Sequence, residues 1–593
     1  MTSSSGEDTM PGRRQVLGWG GSLAAAGALG LRPAKATAAQ RARTRVAVLG
    51  GGIGGLTAAH ELAERGFDVT VYDRRAEWGG KARSLPVSGT ATDGRRDLPG
   101  EHGHRGFFGF YTNLPDTMRR IPFGDRTHGV WDNLVTVPYF AFNRDNGKGD
   151  LYLPSIPPDR RTLDPATLPF VIEGLLRTMP QLLPHECALL GRKLAILMTS
   201  CDERQFGQWE HTGWLDFIEY EGKSDFYQVM WGGSAKVIQA LRPETASTRT
   251  CGQGISKILY SMLGMGPDGP FDRILDGPTS ERFIDPWVRH LTSLGVRFVT
   301  GHLVESLELG SDGRITAAHA RTAAGPARID ADWYVAALPV DRVRQLWSPE
   351  IRAADPQLAR MDRLRTTWCQ GIMYYLKETF RGPIAHLSLM DSPWALCPVG
   401  QSRFWSESFT ETWGDGMAAE SLSVVVSDWD TPGPLYGRPA KECTPKEISE
   451  EVWAQMKAGL EDNGDVVLPD GIVHSWFLDP AVTRTAGGRL ENDDTYFLND
   501  VSSWELRSEA VTAIPNLFLA GDHVRAHSNL DFTTMETANE TGRRAANGVL
   551  EAAGADGADE VRLFGGAEPP GFAELKAADR IRYRLGLPHV LDL

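Results

Sequence analysis

Three glycines, one acid and a second glycine pair have the types and spacing to do chemistry in this sequence. Within Val46 to Ser84, VAVLGGGIGGLTAAHELAERGFDVTVYDRRAEWGGKARS, the residues Gly50, Gly52 and Gly55 form a G-x-G-x-x-G turn. Asp73 closes the apolar run Val69-Thr70-Val71-Tyr72, and Gly79-Gly80-Lys81 follows. Gly50 lets the chain turn sharply out of a strand, Gly52 leaves nothing between backbone and pyrophosphate, and Gly55 lets the next helix pack closely on the strand. That helix opens at Ile53 and Gly54, and its free N–H groups and positive dipole end favour an anion. Asp73 stands about 20 residues past Gly50, where an acid meets a ribose hydroxyl. A glycine turn alone is weak evidence; followed in order by helix, strand and acid, it predicts an adenine dinucleotide.

A second signal lies far along the chain, in AIPNLFLAGDHVRAHSNLDFTTMETANETGRRAANGVLEAAG. Asn516 to Ala520 reads as a buried strand closed by Gly521-Asp522. A helix is expected from about Thr534 to Ala553, with Met535, Ala538, Gly542, Ala545, Ala546 and Val549 recurring at helical spacing. Between the two signals, Trp287 to Leu294 reads as a helix, Gly295 to Val299 and His302 to Leu307 as strands, and Ala331 to Pro339 as a buried strand broken at proline.

The Val46–Ser84 segment resembles the N-terminal flavin signature of the amine oxidase and phytoene desaturase superfamily, and the Gly79-Gly80 doublet favours FAD over a nicotinamide. The resemblance implies that Gly50, Gly52, Ile53, Gly54, Gly55, Asp73, Arg74, Gly79, Gly80 and Lys81 serve the nucleotide half. It places Gly521 and Asp522 at the ribityl chain, the backbone near Thr534 and Met535 at the pyrimidine ring, and the backbone of Val304 against the adenine. The dipole of the last helix would stabilise negative charge developing on reduced flavin. Gly100 to Leu114 resembles a glycine- and aromatic-rich segment of plant-type carotenoid desaturases, with spacing that departs by a residue or so. It makes His102, His104 and Arg105 candidates for the flavin face; either histidine taken singly also reads as a satisfied structural residue. No general base is assignable.

The chain as a whole resembles the FAD-dependent amine oxidase superfamily, nearest its carotenoid desaturase and hydroxysqualene dehydroxylase-like branch. The implied activity is removal of a hydride from an apolar, isoprenoid or polyene-like substrate, with the flavin reoxidised by oxygen or a quinone. Two alternatives stay open: an amine or amino acid oxidase, and a non-redox prenyl-binding protein on a flavin fold.

A site built from both ends of the chain sets the architecture. The expected fold is α/β, a discontinuous Rossmann-like FAD-binding domain with an inserted mixed α+β substrate domain. The FAD-binding parts are expected at 39–130, 276–345 and 501–553, the substrate domain at 131–275 (helical) and 346–500 (sheet), and a tail at 554–593. Apolar patterns at Leu168 to Leu176, Cys187 to Met198 and Trp214 to Tyr220 read as helices that line a greasy tunnel, contact a membrane surface peripherally, or simply fill the core. Residues 1–38, with Arg13-Arg14, a Gly/Ala-rich apolar stretch and Ala36-Thr37-Ala38, read as a twin-arginine signal peptide, which implies the twin-arginine machinery as a partner and export to the periplasm or beyond. That route accepts cargo already folded around a cofactor. The formal charge of −14 and the lack of basic-aromatic clusters argue against nucleic acid. Six scattered cysteines without C-x-x-C spacing predict no metal or iron–sulfur site and leave disulfide pairing open.

Overall fold

Strand β1, Arg45–Leu49, is buried from Val46 to Leu49 because it is the centre of a five-stranded parallel sheet. A parallel strand covered on both faces needs a continuous apolar run, and VAVL supplies one. The structure, a computed structural model, describes residues 44–155, 179, 181–262, 264–461, 464–555, 557–566 and 568–592. The expected signal peptide and the apolar run from Leu168 to Leu176 lie outside the described residues.

After β1 come helix α1 (Ile53–Glu64), β2 (Asp68–Tyr72), β3 (Arg297–Val299), β4 (Trp333–Ala336), β5 (Leu517–Leu519) and helix α2 (Met535–Ala552). The sheet order is β5-β4-β1-β2-β3, and each neighbouring pair is parallel. Strands near both ends of the chain therefore share one sheet, with long excursions between them. A meander of three antiparallel strands, Leu303–Leu309, Ile315–Thr322 and Gly325–Ile329, forms part of the crossover from β3 to β4. Helices α1 and α2 lie side by side, and Asn539 of α2 donates to the Thr57 hydroxyl of α1 at 2.8 Å. This is the expected α/β fold: a Rossmann-like domain, discontinuous in sequence, with a mixed α+β insertion.

The insertion contains a four-stranded antiparallel sheet ordered Leu396–Gly400, Glu420–Val426, Gln370–Leu376, Val473–Leu478. Ala385–Leu389, Tyr139–Asn143 and Leu151–Pro154 make a second sheet. Helix Pro445–Leu460 caps the first, burying Ile448 and Val452 in one cluster with Ile372, Leu422 and Val424. The pattern at Cys187 to Met198 becomes helix Pro184–Thr199, whereas Trp214 to Tyr220 yields only the single turn Trp214–Phe217. Glu219 takes φ +55° there, which a helix cannot continue through. The stretch 554–593 carries helix Phe572–Arg584, packed on helices Pro184–Thr199 and Asp202–Gly207. Arg204 and Asp579, both almost fully buried, form a 2.9 Å ion pair across that contact.

Candidate functional site

The glycine turn works as its spacing predicts. Gly50 adopts φ +113°, outside the range of most L-residues, and its N–H donates to the Tyr72 carbonyl at 2.8 Å, tying the turn to the end of β2. A Cβ on Gly55 would overlap the Gly50 carbonyl oxygen, so this position admits only hydrogen. The Asp73 carboxylate accepts from the backbone N–H of Gly51 at 2.8 Å and of Arg75 at 2.9 Å. A carboxylate has about four acceptor positions, which leaves two for ribose hydroxyls.

The far segment arrives at the same place. A Cβ on Gly54 would stand 3.1 Å from the Gly521 nitrogen, so the two glycine turns touch. Thr534 caps α2, its hydroxyl accepting from the Thr537 N–H at 3.1 Å, and the N-terminus of α2 opens onto the same space. Lys81 from the first segment and Asp522 from the last lie 3.5 Å apart. Burial alone would raise the Asp522 pKa, but Lys81 and His523 outweigh it and hold the carboxyl far below its usual range.

One cavity of about 660 Å³ runs through these elements. Of the residues picked out by sequence, Gly50, Gly52, Ile53, Gly54, Asp73, Arg74, Gly79, Gly80, Lys81, His102, His104, Arg105, Val304, Gly521, Asp522, Thr534 and Met535 all line it. Gly55 lies behind it, against Gly50. His302 donates from its backbone N–H to the Asp73 carbonyl at 2.9 Å, which brings the Val304 strand to the ribose end.

The three candidates of the Gly100–Leu114 segment differ in role. The His102 imidazole lies against the carboxylate of the buried Asp479. The Arg105 guanidinium donates to the carbonyls of Gly103 and Lys81 and so fastens its own loop. His104 meets a residue that the sequence reading missed: its Nε2 lies 2.9 Å from Nε2 of His386, whose Nδ1 lies 3.0 Å from Oδ2 of the buried Asp272. His386 and Cys397 also line the cavity, as do the rings of Phe108 and Phe140. The available signal was a histidine, with Ser388 the other polar residue, inside the otherwise apolar strand Ala385–Leu389.

The sequence pattern of flavin containing amine oxidoreductases matches residues 53–550. The chain belongs to this family. It is 25% identical over 288 residues to a carotenoid phi-ring synthase of Chlorobaculum tepidum, covering 46% of this chain and 39% of that one. It is likewise 25% identical over 333 residues to a 15-cis-phytoene desaturase of Synechococcus elongatus, covering 54% and 63% of the two chains. The chain thus spans less than two thirds of either relative. Cyclohexylamine oxidase from Brevibacterium oxydans shares the fold, with a TM-score of 0.52 at 14% identity over 86% of this chain and 98% of that one. These matches place the chain among the FAD-dependent oxidoreductases, and FAD is its cofactor. The site fits that group: a side-chain-free turn at a helix N-terminus for the diphosphate, an acid for the ribose, and a second helix N-terminus opening onto the same cavity.

Proposed function

We propose that this chain is an FAD-dependent oxidoreductase that removes a hydride from an isoprenoid or polyene-like substrate. The observation that carries the reading is the junction of Gly54 with Gly521, which joins both halves of a dinucleotide site in a cavity also lined by Phe108, Phe140 and Val237. The similarity to a phytoene desaturase supports a polyene. When bound, FAD supplies the two-electron acceptor for the hydride. The chain would hold the diphosphate on backbone N–H groups at Gly52 to Gly54 and the ribose at Asp73. Lys81 and Asp522 neutralise each other beside the cofactor, and the aromatic wall excludes water from the reacting carbon.

An amine oxidase is the second reading, supported by the fold shared with cyclohexylamine oxidase. Among the described residues lining the cavity, Lys81 is the only lysine, and Asp522 engages it. Anaerobic mixing of the holoprotein with isoprenoid, polyene and amine panels separates the two, with loss of flavin absorbance as the readout. Bleaching by amines alone would overturn the polyene reading.

Export through the twin-arginine route is proposed from Arg13-Arg14 and the segment after them. Replacing both arginines by lysine should retain the protein inside the cell. Peripheral membrane contact is proposed at the C-terminal helix, where Ile581 and Leu585 are 64% and 69% exposed beside Arg582 and Arg584. Among the described residues no helix is long and apolar enough to cross a membrane. Co-sedimentation with anionic vesicles, lost in Ile581→Ser/Leu585→Ser, tests the contact.

A further inference from the structure

Three separated segments meet at one wall of the cavity. His104 follows the strand Leu98–Glu101, Asp272 precedes the strand Arg273–Leu275, and His386 sits in Ala385–Leu389 with Phe140 as its cross-strand partner. The two imidazoles are nearly perpendicular, at 88°, and the Phe140 ring centroid lies 4.7 Å from that of His386. A chain of two hydrogen bonds results, Asp272 to His386 at 3.0 Å and His386 to His104 at 2.9 Å. Two atoms at its ends, His104 Nδ1 and Asp272 Oδ1, are buried with no hydrogen-bond partner among the described residues. Each such atom is destabilising if nothing fills the gap. A pure hydrocarbon offers no partner to either.

We propose that His104 is a catalytic base for a hydroxylated isoprenoid, with His386 and Asp272 as positioning residues that set its tautomer and receive its proton. The proposal rests on the hydride-transfer reading above and adds the chemical class of the reacting end. Once the pair has lost its extra proton, His386 donates from Nδ1 to Asp272 and His104 donates from Nε2 to His386, which leaves a lone pair on His104 Nδ1 for the substrate O–H. The carbinol C–H bond breaks with its electron pair leaving as hydride to the bound FAD. The O–H bond breaks with its proton passing to His104 Nδ1, while the Nε2 proton of His104 moves to His386. The oxygen electron pair becomes the carbonyl π bond, and the new imidazolium faces the Asp272 carboxylate.

The surrounding charges agree with this direction. Burial works against a charged His386, but Cys397 and Asp272 override it and push its pKa up to about 10. Burial, His386 and Arg105 all press His104 well below the ordinary imidazole range, so the charge settles on the inner ring. The same pair with Cys397 has the composition of a metal site. Two nitrogens each about 2.0–2.1 Å from a tetrahedral zinc stand roughly 3.3 Å apart, however, and the observed 2.9 Å is a hydrogen-bond length. The Cys397 thiol is engaged as well, 3.0 Å from the Leu387 carbonyl.

The test compares geranylgeraniol with phytoene in anaerobic mixing with the holoprotein. The alcohol should bleach the flavin at least tenfold faster, yield the aldehyde, and react faster as pH rises toward 10 and the pair loses its stored proton. His104→Gln should slow the alcohol reaction by about 100-fold or more with FAD content retained, and Asp272→Asn should flatten the pH profile. NMR of the holoprotein with labelled histidine gives a readout independent of turnover: one ring should stay protonated far above the ordinary imidazole range and lose that property in Asp272→Asn. Equal bleaching by phytoene and the alcohol, unchanged in His104→Gln, overturns this inference and leaves the hydride-transfer reading intact. Bleaching by amines alone overturns both. One equivalent of bound zinc that Cys397→Ser removes overturns the proton chain, and so does a histidine spectrum with no ring protonated above the ordinary range, whatever the panel shows.

Discussion

Hydrogen is the only substituent that Gly55 can carry, because the Gly50 carbonyl oxygen occupies the position of any Cβ. Gly55→Ala should therefore lower stability by about 1–3 kcal/mol through overpacking, read as a lower melting temperature and a lower ratio of flavin to protein absorbance. Asp522→Asn acts differently: it removes the carboxylate beside Lys81, leaving that ammonium on the Thr495 carbonyl, and should weaken FAD retention with little change in the fold, measured by cofactor loss on dialysis. The glycines were legible in sequence because a sharp turn and a close approach are local demands that one residue type meets. His386 and Asp272 were not. His386 shares a short strand with Ser388 and Asp272 stands beside Arg273, and a polar residue in such a place looks the same whether its partner is a backbone carbonyl or another side chain far along the chain.

Among the elements, α2 depends on its cap. Thr534→Ala removes the acceptor for the Thr537 N–H and should cost about 1 kcal/mol, a loss that denaturant unfolding would register. The C-terminal helix is bound by charge as well as by its buried Phe572. Asp579→Ala would strand Arg204 in the interior, and breaking a buried pair from one side costs roughly 3–5 kcal/mol. Helix α2 was legible because small residues recur at helical spacing. Helix Phe572–Arg584 was not, because Arg580, Ile581, Arg582, Tyr583 and Arg584 alternate charge and bulk without a clear apolar stripe, and only the neighbouring helices reveal which side is buried.

Across the whole molecule, charge holds distant segments together where the nucleotide binds. Asp494 reaches Arg75 at 2.9 Å and Arg83 at 3.4 Å. Burial alone would raise its pKa, but Arg75, with His102 and Arg83, holds it down at about 2. An unfolded aspartate titrates near 3.9. The sign follows: the native state is favoured by this group above about pH 4, and that contribution fades as the pH falls through about 2. The denaturant midpoint should drop over that interval and drop less in Asp494→Asn. The discontinuous architecture was legible because its two ends carry halves of one site, whereas the order of strands within the insertion follows from long-range pairing that no local pattern encodes.

The placement of β5 and α2 has a consequence for biosynthesis. The central sheet takes its edge strand from Leu517–Leu519, and the second helix N-terminus of the site begins only at Met535. While translation is under way, the emerging polypeptide has a glycine turn but no opposite wall. Loading with cofactor therefore waits until α2 has been made, and a yellow molecule certifies that its own synthesis passed Met535.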